Sequence, residues 1–356
     1  MANKIYRILT GLLAALLLLS ACTKAKEPFS GTFPVRHSSS SSSVVPADPI
    51  PDDDPEPEPD PGTYPSLLSV LDRKIAEYNR DATIPTNHIF ICAHRANTAY
   101  AKAHDIPENS VWAIETAIEK GADMVELDVR MTSDGVLMIM HDDVVSTTTN
   151  GGGSIASKTY AEVKALRMHP RDKSTYPQYN GDYVRVPTLK EALDACKDKI
   201  YVNLDMKESN APVADVLDAI DKSGTVGQVM IFGADHKAYV NGAYNNLNHS
   251  KLAVHPYISS PDDVPKYLIK GYNGCAKLFQ YGYNIFYDRT IEGFGYACHA
   301  KGGLSYSNSL NYDSQISSWS SGACTVLDRF IESGSDFVQT DYCEKADQYL
   351  KTKGLR

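Results

Sequence analysis

The stretch IFICAHRANTAYAKAHDIPENSVWAIETAIEKGADMVELDVRMTSDGVLMIMHDD, residues 89–143, decides how the chain folds. Ile89, Phe90, Ile91 and Cys92 form a short apolar run of strand formers, the pattern of a strand buried on both faces, and His94-Arg95 stand where it leaves the core. A helix is expected after Pro107-Glu108-Asn109-Ser110. Asn109 or Ser110 can cap it, Val111, Ile114, Ala117 and Ile118 repeat on one face, and Gly121 can close it. Residues 124–129 read as a second strand, in which Glu126 and Asp128 are spaced by two and so point to one side of the sheet. Asp134-Gly135 between apolar segments predicts a hairpin turn that brings His141-Asp142 back beside those carboxylates.

Two carboxylates about 5 Å apart repel by roughly 3 kcal/mol at an effective dielectric of about 20. A third candidate lies in Tyr201-Val202-Asn203-Leu204-Asp205-Met206-Lys207, another strand, with Asp205 and Lys207 again on one side. Either the carboxylates are protonated or a cation sits among them, and an all-oxygen donor set selects a hard ion such as Mg²⁺ or Ca²⁺.

In order and spacing, His94-Arg95, Pro107-Glu108-Asn109-Ser110, Glu126-x-Asp128, Thr132-x-Asp134-Gly135, His141-Asp142 and Asp205-x-Lys207 resemble the motif series of the glycerophosphodiester phosphodiesterase family. The resemblance extends more weakly to residues 336–341 and so covers roughly 88 to 350. It implies metal-dependent hydrolysis of a small-molecule glycerophosphodiester to glycerol 3-phosphate and an alcohol. His94 and His141 would be the acid and base, Arg95 and Lys207 the phosphate ligands, and Glu126, Asp128 and Asp205 the ligands of one divalent cation, Mg²⁺ or Ca²⁺. Either water or a neighbouring glycerol hydroxyl would attack. The chain departs from the family pattern at Ala96 for Gly, Ser110 for Thr and Asp205 for Glu, and carries about five extra residues between His94 and Glu108. Two rival readings are a phospholipase of the same superfamily that cleaves phosphoinositides or sphingomyelin, and a lipoprotein that binds such ligands without turning them over.

Strands expected at 88–94, 123–129, 200–206, 228–233, 252–258, 276–283, 303–308 and 336–340 alternate with helices. That order gives a (β/α)₈ TIM barrel with a small β-hairpin after its second strand, and the resemblance implies that it is of the phospholipase C-like phosphodiesterase type. Thr159-x-x-Glu162 and Thr188-x-x-Glu191 are capping boxes that start two helices. Asn150-Gly151-Gly152-Gly153 and residues 171–183 are expected as loops at the substrate entrance. Tyr257, Tyr281 and Tyr283, near strand ends, are either core or a head-group pocket.

Residues 1–22 have the layout of a secretory signal peptide, with Lys4 and Arg7 before an apolar run, and Leu19-Ser20-Ala21-Cys22 resembles a lipobox in which Cys22 is lipidated. Residues 23–63, with the serine run 38–43 and alternating Pro, Asp and Glu from 46 to 61, form a disordered linker, and 64–356 is the barrel domain. Within it, residues 66–79 predict an amphipathic helix against the barrel bottom, with Leu67, Leu71, Ile75 and Tyr78 on one face. The expected location is the bacterial cell envelope, on a membrane. Removing Lys4 and Arg7 from 35 basic residues against 44 acidic leaves a net charge of −11, with no basic stripe for nucleic acid.

Cys92, Cys196, Cys275, Cys298, Cys324 and Cys343 are even in number and lack metal-type spacing; Cys298 and Cys324 are a candidate disulfide against the alternative of free buried thiols. Glu108 reads as a helix-start acid and Asp341 as a strand-end residue, each with either a structural or a catalytic role.

Overall fold

Eight parallel strands make the frame: β1 Phe90–Ala93, β2 Met124–Met131, β3 Tyr201–Met206, β4 Val229–Gly233, β5 Ala253–His255 with Tyr257–Ile258, β6 Leu278–Tyr281, β7 Leu304–Asn308 and β8 Phe337–Thr340. They come from a computed structural model that describes residues 64–81, 85–207, 213–233, 252–265, 267, 276–281 and 293–356. The leader with Cys22, the linker, Cys275 and Tyr283 lie outside the described residues.

Each strand pairs in parallel with its neighbours in chain order, and β1 closes the ring on β8 with Phe90 opposite Phe337 and Ala93 opposite Thr340. Pro256 has no N–H and splits β5 in two. The junction to β6 is kept by the Val254–Ala276 bridge and by Gln280 N–H donating to the Pro256 carbonyl at 3.2 Å. The (β/α)₈ barrel predicted from the strand pattern is therefore the fold, including the Gly-flanked seventh strand.

After β2 the chain reverses at Asp134-Gly135, where Gly135 takes φ +84, and Leu137–Ile139 pairs antiparallel with Val129 opposite Ile139. This is the expected hairpin. The connection that follows carries its own small core of Met138, Met140, Val145, Ile155, Val163, Met168, Val184 and Val186, and both predicted capping boxes form, at Thr159 and Thr188.

Leu67–Tyr78 forms a helix capped by Ser66 and seals the bottom of the barrel. Leu67, Leu71 and Tyr78 pack on Cys92, Met124, Tyr201, Met230, Ala253, Leu278, Leu304 and Phe337, residues at or near the N-terminal ends of all eight strands. Ile75 packs half-buried against the same cluster as predicted, and Lys74, which the predicted face did not include, is buried beside it. Its ammonium donates to Thr86 Oγ1 at 2.9 Å and the His88 carbonyl at 2.8 Å and lies 3.6 Å from Asp336, so the charge enters the floor already partnered. The candidate disulfide is not formed: Cys298 and Cys324 are free, buried thiols, as are Cys92, Cys196 and Cys343.

Candidate active site

The polar motifs meet at the C-terminal ends of β1, β2, β3 and β8, where barrel strands expose their last side chains to the mouth. Beyond β1 the chain turns through two successive left-handed residues, Arg95 at φ 53 and Ala96 at φ 56. That turn aims the Arg95 N–H at Glu126 Oε2, 2.9 Å away. It also explains why Gly suits position 96: a Cβ is strained there, and this chain carries one.

Asp128 and Asp205 are register partners on β2 and β3, and Asn203 lies opposite Glu126. Carboxylate oxygens of Glu126, Asp128 and Asp205 all fall within 4.8 Å of one another. Lys207 Nζ reaches into the group, 2.6 Å from Asp205 Oδ2 and 3.0 Å from Asp128 Oδ1. Asn109, placed in a left-handed conformation at φ 56, donates from Nδ2 to Asp128 Oδ2 at 2.7 Å. Ser110 takes the cap of the following helix, Val111–Glu119, so the two candidate caps divide the work.

One lysine does not neutralise three carboxylates. Burial, and then the field of Asp128, push the Glu126 carboxyl up to about 8. Burial likewise raises Asp205, against the pull of Lys207. Burial opposes the charge on Asp128 too, but Lys207 and Arg95 outweigh it and hold that carboxyl down at about 2. Asp128 Oδ1 is buried and accepts no hydrogen bond of good geometry. A divalent cation fits such a site: all the ligand atoms are oxygen, buried Asp128 Oδ1 has the Lys207 charge nearby but accepts no hydrogen bond, and the third negative charge is unstable without a partner.

His94 and His141 flank the cluster. His94 Nε2 lies 4.0 Å from Glu126 Oε2, and its Nδ1 is 2.8 Å from Asp341 Oδ1. Burial opposes the imidazolium, yet the bond to Asp341 and the field of Glu126 outweigh it and the His94 pKa rises. Asp341 is thus a partner of His94, and Asp313 holds it in turn by accepting the Asp341 N–H at 2.7 Å. His141 follows the hairpin strand, which Met140 N–H ties to the Asp128 carbonyl at 2.9 Å. Its Nδ1 is 3.4 Å from Asp142 Oδ1, and burial, with Arg95 and Lys207, lowers its pKa.

Arg95 Nη1 donates to Glu108 Oε1 at 2.9 Å, and its buried Nε, 3.6 Å from Asp128 Oδ2, makes no hydrogen bond. An unsatisfied guanidinium N–H at this spot suits an anionic oxygen. Glu108 is therefore more than a helix-start acid. It also accepts from Arg171 Nη2 at 2.7 Å, and the same nitrogen donates to Asp142 Oδ2 at 2.6 Å. No spacing in the sequence marks Arg171, which lies in a loop far from the motifs. Tyr257 is half-buried against Phe232, ring centroids 4.6 Å apart.

Residues 94–257 match the sequence model of the Glycerophosphoryl diester phosphodiesterase family, and every strand-end motif from His94 to Asp205 falls inside that span. Residues 94–257 thus resemble the glycerophosphodiester phosphodiesterase family in sequence. A glycerophosphodiester phosphodiesterase of Bacillus subtilis is 35% identical over 133 residues, 36% of this chain and 43% of that protein. The matched part thus spans less than half the length of that curated relative. A Parabacteroides distasonis glycerophosphoryl diester phosphodiesterase shares the fold with a TM-score of 0.61 at 21% identity, over 82% of this chain and 94% of that one. An Oleispira antarctica phosphodiesterase, solved in complex with the product sn-glycerol-3-phosphate, has a TM-score of 0.54 at 20% identity over 74% of this chain and 96% of its own.

Proposed function

We propose that this chain hydrolyses glycerophosphodiesters to glycerol 3-phosphate and an alcohol, using one divalent cation, Mg²⁺ or Ca²⁺, held by Glu126, Asp128 and Asp205. The observation that carries the reading is the convergence of those three carboxylates within 4.8 Å, with His94 and His141 on either side, in a barrel that resembles this family. The product bound by the Oleispira antarctica neighbour is the one this reaction would leave.

When bound, the cation supplies positive charge to a phosphoryl oxygen and fixes the diester at the strand ends. Arg95, through the Nε–H that makes no hydrogen bond, and Lys207 bear on the same phosphoryl group and stabilise the charge that builds on it. The bond between phosphorus and the head-group oxygen breaks as the incoming oxygen bonds to phosphorus. One imidazole takes the proton of the incoming oxygen and the other gives a proton to the departing alkoxide. In both histidines Nδ1 faces a carboxylate, Asp341 for His94 and Asp142 for His141, which leaves Nε2 for the transfer.

The test is release of glycerol 3-phosphate from glycerophosphocholine and glycerophosphoethanolamine by the chain from Thr23 onward, with chelator, Mg²⁺ or Ca²⁺. Release should need one of the ions, and His94→Ala or His141→Ala should lower it by roughly 10² to 10⁴-fold with the fold intact. Near-normal turnover in either variant removes that histidine from the mechanism.

We also infer attachment to a membrane of the bacterial cell envelope through a lipidated Cys22, on the strength of Leu19-Ser20-Ala21-Cys22 after an apolar run. Cys22→Ser should shift the full chain from the membrane fraction to the soluble one; unchanged partition counts against the anchor.

A further inference from the structure

We infer that Arg171 is a positioning residue that couples the phosphate-gripping Arg95 to the acid–base residue His141. The inference rests on the functional reading above and adds a residue that none of the family's motifs in this chain contains.

A single nitrogen makes the coupling. Arg171 Nη2 donates to Glu108 Oε1 at 2.7 Å and to Asp142 Oδ2 at 2.6 Å. Glu108 Oε1 is also the acceptor for Arg95 Nη1, at 2.9 Å, so two guanidinium groups share one oxygen. On the other side, Asp142 presents its second oxygen to His141 Nδ1 at 3.4 Å. The result is a continuous alternation of charge, Arg95 to Glu108 to Arg171 to Asp142 to His141, between the first and second strand ends. Its central member comes from the long connection after the hairpin.

The backbone around Arg171 is fastened for this purpose. Met168 N–H bonds to the Val184 carbonyl at 2.8 Å and His169 N–H to the Thr148 carbonyl at 2.8 Å, with the Met168 side chain in the small core of that connection. Two residues on, Lys173 pairs with Asp105, and Thr175 donates to the same carboxylate at 3.3 Å. Residues 171–175 thus lie across the segment that carries Glu108 and fix the distance between the two loops.

Without the guanidinium, Glu108 keeps Arg95 as its one arginine partner, and Arg95 is drawn away from the phosphoryl oxygen. Asp142 loses its short charged bond, and its carboxylate, which sits 3.4 Å from His141 Nδ1 as a charge contact without a hydrogen bond, is no longer held at that distance from the imidazole. Both halves of the site therefore loosen together. Arg95 bears on substrate binding and His141 on the chemical step, so KM and kcat should both move.

The experiment compares the parent chain with Arg171→Met, Asp142→Asn, Glu108→Gln and the two double variants on glycerophosphocholine, with kcat and KM measured per folded molecule. Arg171→Met should lower kcat and raise KM, each by roughly tenfold, the scale expected for losing a charged hydrogen bond. Arg171→Met with Asp142→Asn should be clearly less than additive in kcat, and Arg171→Met with Glu108→Gln less than additive in KM. Added guanidinium ion should restore part of the loss in Arg171→Gly, which general loosening of the fold would not allow. An active parent with Arg171→Met within twofold of it in both constants, or fully additive cycles, overturns the coupling while leaving the diesterase reading standing. A parent that releases no glycerol 3-phosphate with any ion overturns that reading, and this inference with it. If Arg171→Met does not fold, Arg171→Lys decides: one ammonium spans both carboxylates poorly, so roughly fivefold loss in kcat/KM supports the coupling and parental activity overturns it.

Discussion

Asp341 Oδ1 lies 2.8 Å from His94 Nδ1, joining the end of the last barrel strand to the end of the first. The pair bridges the seam where the ring closes, and its carboxylate is gripped from outside by Lys102 at 3.0 Å. Asp341→Asn should keep the shape of the bond and lose its charge. Turnover is expected to fall by roughly 10²-fold, and, because Asp341 raises the His94 pKa, the limb of the pH–rate profile that reports His94 should move to lower pH. An unmoved limb would show that Asp341 does not act on that imidazole.

Proton and cation compete for Glu126. Its carboxyl stands at about 8 in the ion-free site, so below that pH a proton must leave for the ion to bind. Affinity for Mg²⁺ or Ca²⁺ should rise by up to about tenfold per pH unit between 6 and 8 and flatten above. Titration calorimetry at several pH values checks this, through the affinity and the protons released. Affinity that does not change over the range would remove Glu126 from the ligand set or its burial from the argument.

The floor of the barrel is a place where stability and activity separate. Leu71 is fully buried against strand starts at the end opposite the carboxylates. Leu71→Ala should cost about 2 to 5 kcal/mol in denaturant unfolding, from lost transfer energy and the cavity left behind. The kcat of the molecules that remain folded should match the parent; a large change would mean that the floor helix shapes the mouth.

Position 96 offers a gain. Ala96 holds φ 56, a conformation that costs an L-residue roughly 1 to 2 kcal/mol and glycine little. Ala96→Gly should relieve that strain and, after the larger entropy glycine gives the unfolded chain, stabilise by about 0.5 to 1 kcal/mol. A destabilised variant would show that the Ala96 methyl, which is fully buried, contributes more packing than the backbone loses.

Much of the fold and of the site is legible in the amino-acid sequence. The spacing by two in Glu126-x-Asp128 and Asp205-x-Lys207 fixes sides of a strand, and parallel register then sets Asp128 beside Asp205. The eight strands read as apolar runs, and Asp134-Gly135 names its own turn. Three things are not legible, for physical reasons. The burial of Lys74 beside Ile75 is one, because a lone buried ammonium is stable only beside partners, Thr86, the His88 carbonyl and Asp336, that come from elsewhere in the chain. Cys298 and Cys324 stay apart because thiol pairing depends on distance in space, which spacing in sequence does not report. Arg171 meets Glu108 across 63 positions, through a loop whose course depends on its own small core, and no periodicity marks such a residue.

The floor helix also settles how the domain can be handled. Its approach is bonded to the underside of the barrel: Tyr64 packs edge-on against Tyr201 with ring centroids 5.0 Å apart, Tyr201 OH donates to the Pro65 carbonyl at 3.0 Å, and Leu67 N–H to the Gly227 carbonyl at 2.7 Å. A bead, a chip or an affinity handle coupled ahead of Tyr64 is thereby offered the end of the barrel remote from Glu126 and Asp128. Immobilisation by that route should leave the mouth open to diffusing substrate, whereas coupling through lysines risks Lys102 and Lys207 at the rim.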